Sequence, residues 1–270
     1  MTSLADRVPA YVRSFERYVP SRPDPVLMRQ YGVSQLHRLN NNENALGPPP
    51  LAREAIAAFA PERAAVYPSG DAHDLRQALA ARCGKSPEQF LVGNGSCEII
   101  SAVVRAFCAP GDAIVTADKT FAVYEWVARF SGIEARLVPL ARQAFDPAGL
   151  LAAVTDNARI VFVCNPNNPT GAWWNRAVLE RFLAALDGRA LVVLDEAYRE
   201  YIDDPDYPDG MEVMERHDNV LVFRTFSKMY GLAGLRVGYL CGPLEAVDFV
   251  RRAHIAYSVN GLGQVAAVAA

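Results

Sequence analysis

Short apolar and β-branched runs alternate with longer segments of helical period along most of the chain after about residue 90. Several of the short runs are apolar at nearly every position, as expected of strands that are buried on both faces. Between them, apolar residues recur at spacings of three and four, as on one face of a helix. This alternation predicts an α/β fold with a mostly parallel sheet flanked by helices. The predicted strands are 90–93, 113–116, 136–139, 159–164, 191–194, 220–223 and 236–241.

The first 50 residues do not follow this alternation. Seven prolines from position 9 to position 50 interrupt any regular element there, so this stretch is predicted to be an arm that lies across the folded body. Aromatic residues of the arm, such as Tyr11 and Phe15, need a surface of that body to cover. Two helices, at 51–59 and 74–82, are predicted to lead from the arm into the sheet.

Composition and charge restrict the classes of function. The 270 residues are 51% hydrophobic and carry 27 basic against 30 acidic side chains, a net charge of −3. Without an excess of basic residues, no nucleic-acid partner is predicted. No apolar run approaches the roughly 18 residues of a membrane span and no signal peptide is visible, so a cytoplasmic protein without a membrane partner is predicted. Five widely separated cysteines predict reduced thiols and no metal site.

Polar residues follow directly after four of the predicted strands. The turn 93–96 ends the first strand, and Asn168, Asp195 and Lys228 come after the fourth, fifth and sixth. In a mostly parallel sheet, ligands bind beyond the carboxyl ends of the strands. These strand ends therefore predict one site that offers an anion cradle, an amide, a carboxylate and a lysine.

Asp195 and Lys228 each follow an apolar strand, where an unpaired charge is costly. One explanation is a buried ion pair between them. The other is a cofactor that uses both, with the lysine joined to an aldehyde and the carboxylate keeping a pyridine nitrogen protonated. In that second interpretation, Thr225, Ser227 and Arg236 would hold an anion. Asn168 and Tyr198 would hold a ring hydroxyl.

The turn 93–96 also has two interpretations. It leads into a predicted helix, whose free backbone N–H groups suit a phosphate, but it is equally compatible with a plain strand-to-helix connection. Its sequence matches neither Gly-x-Gly-x-x-Gly nor the Gly-x-x-x-x-Gly-Lys of a P-loop. An NAD-dependent oxidoreductase is therefore not predicted.

Three segments give the chain a family resemblance: Asn168-Pro-Thr-Gly171, Asp195-Glu-Ala-Tyr198, and the run from Ser227 to Tyr239. They resemble the fold-type-I enzymes that depend on pyridoxal 5'-phosphate (PLP), the class I and II aminotransferases, with their large domain and smaller C-terminal domain. Within that superfamily, four further segments are most similar to the histidinol-phosphate aminotransferases. These are Leu39-Asn-Asn-Asn-Glu-Asn44, Tyr67-Pro-Ser, Gly93-Asn-Gly-Ser96 and Tyr257-Ser-Val-Asn260.

The resemblance implies roles for the residues at the strand ends. Lys228 would hold the cofactor covalently and carry protons, and Asp195 would pair with the pyridinium nitrogen. Tyr198 and Asn168 would hold the ring oxygen. The phosphate would be bound by Gly95, Ser96, Cys97, Thr225, Ser227 and Arg236.

The resemblance also implies contacts from four other residues. Phe121 lies where the family stacks an aromatic ring on the cofactor, with Tyr124 as the second choice, although each is otherwise an ordinary core residue. Tyr67 would reach the cofactor phosphate of a neighbouring subunit, which implies a homodimer with shared active sites; its other interpretation is a turn aromatic. Asn44 would approach the substrate, unless it is a simple turn amide.

The implied activity is ping-pong transfer of an amino group between an amino acid or amino-alcohol phosphate, such as histidinol phosphate, and a 2-oxo acid. Three positions depart from the family pattern: Ala45, Cys97 and Phe121. The alternative is a threonine-phosphate decarboxylase-like enzyme or another PLP enzyme of specialised biosynthesis on the same scaffold.

The resemblance divides the chain into an arm at 1–50, a PLP-binding large domain at 51–250 and the start of the small domain at 251–270. The chain ends on an apolar helical pattern with no capping residue. We therefore expect the rest of the small domain, with the arginine that would bind the substrate carboxylate, to lie outside these 270 residues. A chain of this length is then expected to transaminate weakly.

Overall fold

The computed structural model describes residues 3–17, 19 and 22–270. Seven strands form one sheet: β1 Phe90–Gly93, β2 Ala113–Ala117, β3 Glu134–Val138, β4 Ala158–Cys164, β5 Leu191–Asp195, β6 Val220–Thr225 and β7 Gly238–Cys241. Their order across the sheet is β1-β7-β6-β5-β4-β2-β3. The pairs from β6 to β3 are parallel, and β7 runs antiparallel to both β1 and β6. The prediction of a mostly parallel sheet is confirmed.

Each predicted strand is present, with limits that differ by two residues at most. β5 extends through Asp195 and β6 through Thr225, so two of the predicted site residues belong to the strands themselves. β7 begins at Gly238 and not at 236, because Arg236 has a φ of 56°. This left-handed conformation is incompatible with a strand and turns the chain sharply just before β7.

Helices cover both faces of the sheet. In β4 the consecutive residues Ile160, Val161 and Phe162 are all 0% exposed, and successive side chains of a strand point to opposite faces. Among the described residues the α-helices are α1 Ala10–Arg13, α2 Asp24–Tyr31, α3 Pro50–Ala57, α4 His73–Cys83, α5 Ser96–Phe107, α6 Val123–Phe130, α7 Pro147–Ala153, α8 Arg176–Leu186, α9 Gly210–Val213, α10 Leu244–Ala253 and α11 Gly261–Ala269. α5 packs against α6 and α10, and α7 packs against α8.

The arm contains more regular structure than its prolines predict. Besides a 3-10 turn at Leu4–Arg7 it forms α1 and α2, so the expectation that the prolines interrupt any element is wrong. Pro9 and Pro23 occupy the N-cap positions of these two helices, where the missing N–H group of proline costs no hydrogen bond. The arm does cover the body, since the ring of Phe15 packs edge-on against Phe130 with 5.7 Å between centroids.

The last described helix packs on the same body. α11 contacts α3 and α4, and its N-terminus is capped by Asn260, whose side-chain oxygen accepts a hydrogen bond from the N–H of Gly263 at 2.7 Å. Ala266 and Ala267 of α11 are buried.

Two further findings concern membrane-spanning helices and the state of the cysteines. Among the described residues, none of the helices has both the length and the apolar character that a membrane crossing requires. All five cysteines are free thiols, as the sequence predicts.

Candidate active site

A cavity of about 420 Å³ opens where β4, β5 and β6 end and α5 begins. Parallel strands present their carboxyl ends at one edge of the sheet, which is why these separate segments meet. Ten of the residues predicted for the site line the cavity: Ser96, Cys97, Phe121, Asn168, Asp195, Tyr198, Thr225, Ser227, Lys228 and Arg236.

Asp195 is the buried carboxylate of the cavity. Its side chain is held from two sides: Tyr124 donates its hydroxyl to Oδ2 at 2.6 Å, and the N–H of Ala197 donates to Oδ1 at 3.1 Å. Asp195 is only 2% exposed, and this burial raises its pKa, while the hydrogen bond from Tyr124 and the N–H of Ala197 oppose the rise. The carboxyl is thus oriented before any ligand arrives.

Lys228 is the half-buried amine of the cavity. Its Nζ donates a hydrogen bond to the backbone oxygen of Asn41 at 2.7 Å and lies 5.7 Å from the centroid of the Tyr198 ring. Burial lowers the pKa of Lys228, and the nearby carboxylate of Glu43 works against this effect. A lowered pKa increases the share of neutral amine, which is the nucleophilic form of lysine.

An anion cradle forms where β1 passes into α5. Gly95 caps the helix with a φ of 77°, and a Cβ built there would lie 2.3 Å from Nη2 of Arg236, so only glycine fits. Arg236 donates from Nη1 to Ser227 Oγ at 3.5 Å. Burial raises the pKa of the Cys97 thiol, which keeps it neutral beside the cradle. A guanidinium and a helix N-terminus facing one space favour a phosphate.

Another part of the cavity wall carries aromatic and amide groups. The hydroxyl of Tyr198 accepts hydrogen bonds from Asn42 Nδ2 at 3.0 Å and Asn168 Nδ2 at 3.4 Å. Phe121 lines the cavity. Tyr124, the second choice for a stacking ring, is not on the cavity wall: it is fully buried and stacks on Phe162 at 4.7 Å.

Besides Tyr124, three predicted residues lie away from the cavity wall. Tyr67 is 85% exposed and contacts Tyr257, with 5.3 Å between ring centroids. Asn44 donates from Nδ2 to the backbone oxygen of Met229 at 2.8 Å, so it anchors the arm next to Lys228. Gly95 does not line the cavity, but its lack of a side chain leaves room for the guanidinium of Arg236.

Sequence reasoning missed two groups of residues. Asn40, Asn41 and Asn42 of the arm line the cavity, although only the neighbouring Asn44 was predicted. The run of three asparagines at positions 40–42 is the sequence feature that could have identified them as site residues. The second group lies behind the site, where the guanidinium of Arg224 contacts Glu196 at 2.8 Å and Asp209 at 2.6 Å.

This buried ionic group supports the loop that carries Tyr198. Glu196 directly follows Asp195 and accepts a hydrogen bond from the N–H of Gly210 at 2.8 Å. Arg224 directly precedes Thr225. Each charge of the group has a hydrogen-bonded partner, as burial demands. Two neighbouring strand ends are therefore fixed to each other beneath the cavity.

The donor set fits the cofactor that the resemblance implies. PLP has a phosphate, an aldehyde and a pyridine nitrogen on one flat ring. The cavity offers Arg236 and the start of α5 for an anion, Lys228 as an amine for an aldehyde, and Asp195 as an acceptor for a ring N–H. The space that Gly95 leaves beside Arg236 is an independent sign, because a Cβ there would lie 2.3 Å from Nη2 and displace the guanidinium from its place beside the start of α5.

Comparison with known proteins agrees with this geometry. A sequence model of the family "Aminotransferase class I and II" matches residues 34–270. The histidinol-phosphate aminotransferase of Anaeromyxobacter sp. (strain Fw109-5) is 42% identical over 264 residues, which are 97% of this chain and 72% of that protein. The aromatic amino acid aminotransferase of Thermobifida fusca (strain YX) is 42% identical over 267 residues, 98% of this chain and 74% of that protein.

A solved structure shows the same fold. The crystal structure of histidinol-phosphate aminotransferase from Sinorhizobium meliloti, in complex with pyridoxal-5'-phosphate, superposes with a TM-score of 0.88 and 32% identity, covering 97% of this chain and 70% of that one. These similarities support amino-group transfer and not the decarboxylase alternative. The chain belongs to the class I and II aminotransferase family.

Proposed function

We propose that this aminotransferase uses PLP and moves an amino group from an amino acid or an amino-alcohol phosphate of the histidinol-phosphate kind to a 2-oxo acid, in a ping-pong sequence. One observation carries the proposal: a lysine with a lowered pKa and a fully buried carboxylate line one cavity beside an anion cradle. The relative named histidinol-phosphate aminotransferase supports the donor class. The relative named aromatic amino acid aminotransferase makes aromatic amino acids the second candidate.

The residues that hold the cofactor follow from their chemistry. Arg236, the hydroxyls of Thr225 and Ser227, and the N-terminus of α5 at Ser96 and Cys97 would bind the phosphate. Phe121 would cover one face of the ring, and Tyr198 with Asn168 would hold the ring oxygen. The bound cofactor supplies an aldehyde that takes up the amino group and a protonated ring that accepts electrons.

Two side chains do the work of proton control. Asp195 keeps a proton on the ring nitrogen, because a buried carboxylate next to a ring N–H favours the charged pair over two neutral groups. Lys228, as a free amine at Nζ, would remove the proton from the α-carbon of the donor and deliver it to the carbon that carries the aldehyde of the cofactor. A lowered pKa suits Lys228 to this task, since the amine must be neutral to accept a proton.

An exposed apolar surface supports a homodimer with shared active sites. Val66 and Tyr67 are 70% and 85% exposed, and Tyr257, whose ring contacts that of Tyr67, is 56% exposed. Exposed apolar residues in a cluster are typical of an interface. In the dimer we propose, Tyr67 reaches the cofactor phosphate of the neighbouring subunit.

Two coarser points complete the proposal. We keep, as part of the proposal, the division into an arm at 1–50, a PLP-binding large domain at 51–250 and the start of a small domain at 251–270. The five free thiols favour the reducing cytoplasm as the place of action.

The lysine assignment has a direct test, because the chain has only three lysines. Borohydride reduction of the holoenzyme followed by peptide mapping should find the fixed cofactor on Lys228, and Lys228→Ala should abolish both the fixed cofactor and turnover. Lys85→Ala and Lys119→Ala are matched controls that keep both. A cofactor fixed to either of these two lysines would refute the assignment.

The donor class is tested by mixing the holoenzyme with single donors. Histidinol phosphate and phenylalanine are each added without acceptor, and conversion of the cofactor spectrum to its amine form is followed. We expect the faster conversion with histidinol phosphate. Release of CO₂ without a keto product would argue for the decarboxylase reaction instead.

The shared site is tested by mixing two inactive variants. If Tyr67 serves the neighbouring subunit, then a heterodimer of Lys228→Ala and Tyr67→Ala contains one intact site, and the mixture regains cofactor affinity and turnover that neither variant has alone. Sedimentation should give the mass of two chains. A mixture no better than its parts would rule out the sharing.

A further inference from the structure

Next to the cavity, one carboxylate oxygen forms hydrogen bonds with groups from two distant parts of the chain. Oε2 of Glu98, in the first turn of α5, accepts the N–H of Asn94 at 2.6 Å and the hydroxyl of Ser258 at 2.8 Å, and it lies 3.1 Å from Nε2 of His254. The side chains of Glu98 and His254 are 18% and 9% exposed. The roles proposed above do not use any of these side chains.

The bond to Asn94 shapes the turn that forms the anion cradle. Glu98 takes up the N–H of Asn94, and the N–H of Gly95 donates to the oxygen of Gly93 at 2.7 Å. The turn is tight around this carboxylate, since a Cβ on Gly93 would lie 3.2 Å from Oε2 of Glu98. With these two groups satisfied within the turn, the N–H groups at the start of α5 are the ones directed to an anion.

The segment 254–260 connects this turn to the other half of the cradle. Asn260 donates from Nδ2 to the oxygen of Leu235 at 2.9 Å, next to Arg236. Tyr257 donates its N–H to the oxygen of Gly70 at 3.2 Å and contacts Tyr67. One short segment therefore bridges the turn, the arginine loop and the loop of Tyr67.

We propose that Glu98, His254 and Ser258 form a clasp that positions the anion-binding turn and so sets how tightly the cofactor phosphate is held. This proposal rests on the proposed function, because it takes the anion to be the phosphate of PLP. The three are positioning residues: they act through the backbone of the turn and do not touch the phosphate. The pKa of Glu98 is lowered, against its burial, by the side chain of His254 and the N–H of Asn94, which agrees with an ionised carboxylate that orients donors.

The direction in which phosphate affinity changes when the charge of Glu98 is removed distinguishes the clasp from simple electrostatic repulsion. A carboxylate close to a phosphate repels it, so removal of the charge alone would strengthen phosphate binding. If the clasp positions the turn, removal of the charge weakens the bonds to Asn94, Ser258 and His254, and phosphate binding becomes weaker. Glu98→Gln keeps the size of the side chain while it removes the charge.

The experiment compares PLP with pyridoxal, which lacks the phosphate. Dissociation constants for both are measured from cofactor absorbance on the 270-residue wild-type chain, on Glu98→Gln and on Ser258→Ala. We expect the preference for PLP over pyridoxal to fall by about tenfold in Glu98→Gln and by a smaller factor in Ser258→Ala, with the affinity for pyridoxal nearly unchanged. The ³¹P resonance of the bound phosphate should shift in both variants.

Glu125→Gln is the matched control, since Glu125 lies in the first turn of α6 and pairs with Arg129 away from the cavity. It should keep the wild-type preference. A preference that stays constant or increases in Glu98→Gln, in a variant that still binds pyridoxal, overturns the clasp. A wild-type chain that binds neither compound refutes the proposed function instead, so the two failures are distinguishable.

Discussion

The two sides of the cavity are built in opposite ways. On the strand side, Asp195 and Thr225 are the last residues of β5 and β6 and are buried. On the arm side, Asn41 and Asn42 are exposed and reach the site through single hydrogen bonds to Lys228 and Tyr198. The first side is fixed by the core of the sheet, and the second depends on a few contacts of a surface segment.

This difference indicates a division of tasks. Groups that must keep a set protonation state need burial and fixed partners, which only the core supplies. Groups that admit and release a substrate need freedom to move, which a surface segment keeps. Changes on the strand side should therefore alter the chemical step and its pH dependence, whereas changes on the arm side should alter binding.

Among substitutions that leave Lys228 in place, the largest effect is expected from Asp195→Asn. Asparagine keeps the shape but cannot hold a proton on the ring nitrogen, so turnover should fall by about a hundredfold or more while cofactor remains bound. Steady-state rates and the absorbance of bound cofactor measure the two quantities. A variant with wild-type turnover would show that the strand side does not control the chemistry.

The same substitution, which lowers turnover, should increase the free energy of unfolding of the cofactor-free chain. Burial raises the pKa of Asp195 in the folded chain above its ordinary value of 3.8. The contribution of Asp195 to the free energy of unfolding is therefore fully present below pH 3.8 and is lost as the pH rises through the folded-state pKa. The cofactor-free Asn variant should therefore have the larger free energy of unfolding at neutral pH, with the difference shrinking toward pH 4. Urea unfolding at several pH values measures it, with the exposed Asp203→Asn as control.

A smaller effect on the same side is expected from Tyr124→Phe. The hydroxyl of Tyr124 helps to keep the pKa of Asp195 from rising further, so its loss should raise that pKa and move the acid limb of the kcat/KM profile to higher pH. Turnover at neutral pH should fall by about tenfold.

Tyr207→Phe is the matched control for this change. Tyr207 is also buried and donates its hydroxyl to the oxygen of Asn165 at 2.5 Å, so its loss should cost similar stability. The acid limb should stay in place. An equal shift in both variants would mean that Tyr124 acts through general packing and not through Asp195.

How far the sequence predicts the site depends on which side is considered. Strand ends are readable because an apolar run must stop where a polar group begins, and this criterion locates Asp195 and Lys228 from the pattern alone. Roles that depend on side-chain direction are not readable in this way. Phe121 and Tyr124 are three residues apart, and only packing decides that the first lines the cavity while the second turns beneath it.

Residues whose partners lie far along the chain escape sequence reasoning for a related reason. Glu98 and His254 are 156 positions apart, and nothing in either local pattern indicates that they meet. The arm shows the same limit, since its prolines predict interruptions, whereas Pro9 and Pro23 in fact lie at the starts of α1 and α2. The role proposed for Tyr67 involves a second subunit, which the pattern of one chain does not reveal.

The smallest effect is expected on the arm side, from Asn42→Ala. This change removes the amide that donates to the Tyr198 hydroxyl at 3.0 Å in an exposed setting, where a neutral hydrogen bond contributes about 1 kcal/mol. We expect KM for the amino donor to rise a few-fold with kcat nearly constant. Asn41→Ala should change KM less, because Asn41 contacts Lys228 through a backbone oxygen that alanine retains. If Asn42→Ala lowered kcat and left KM unchanged, the arm would take part in the chemical step, and the division between the two sides of the cavity would not hold.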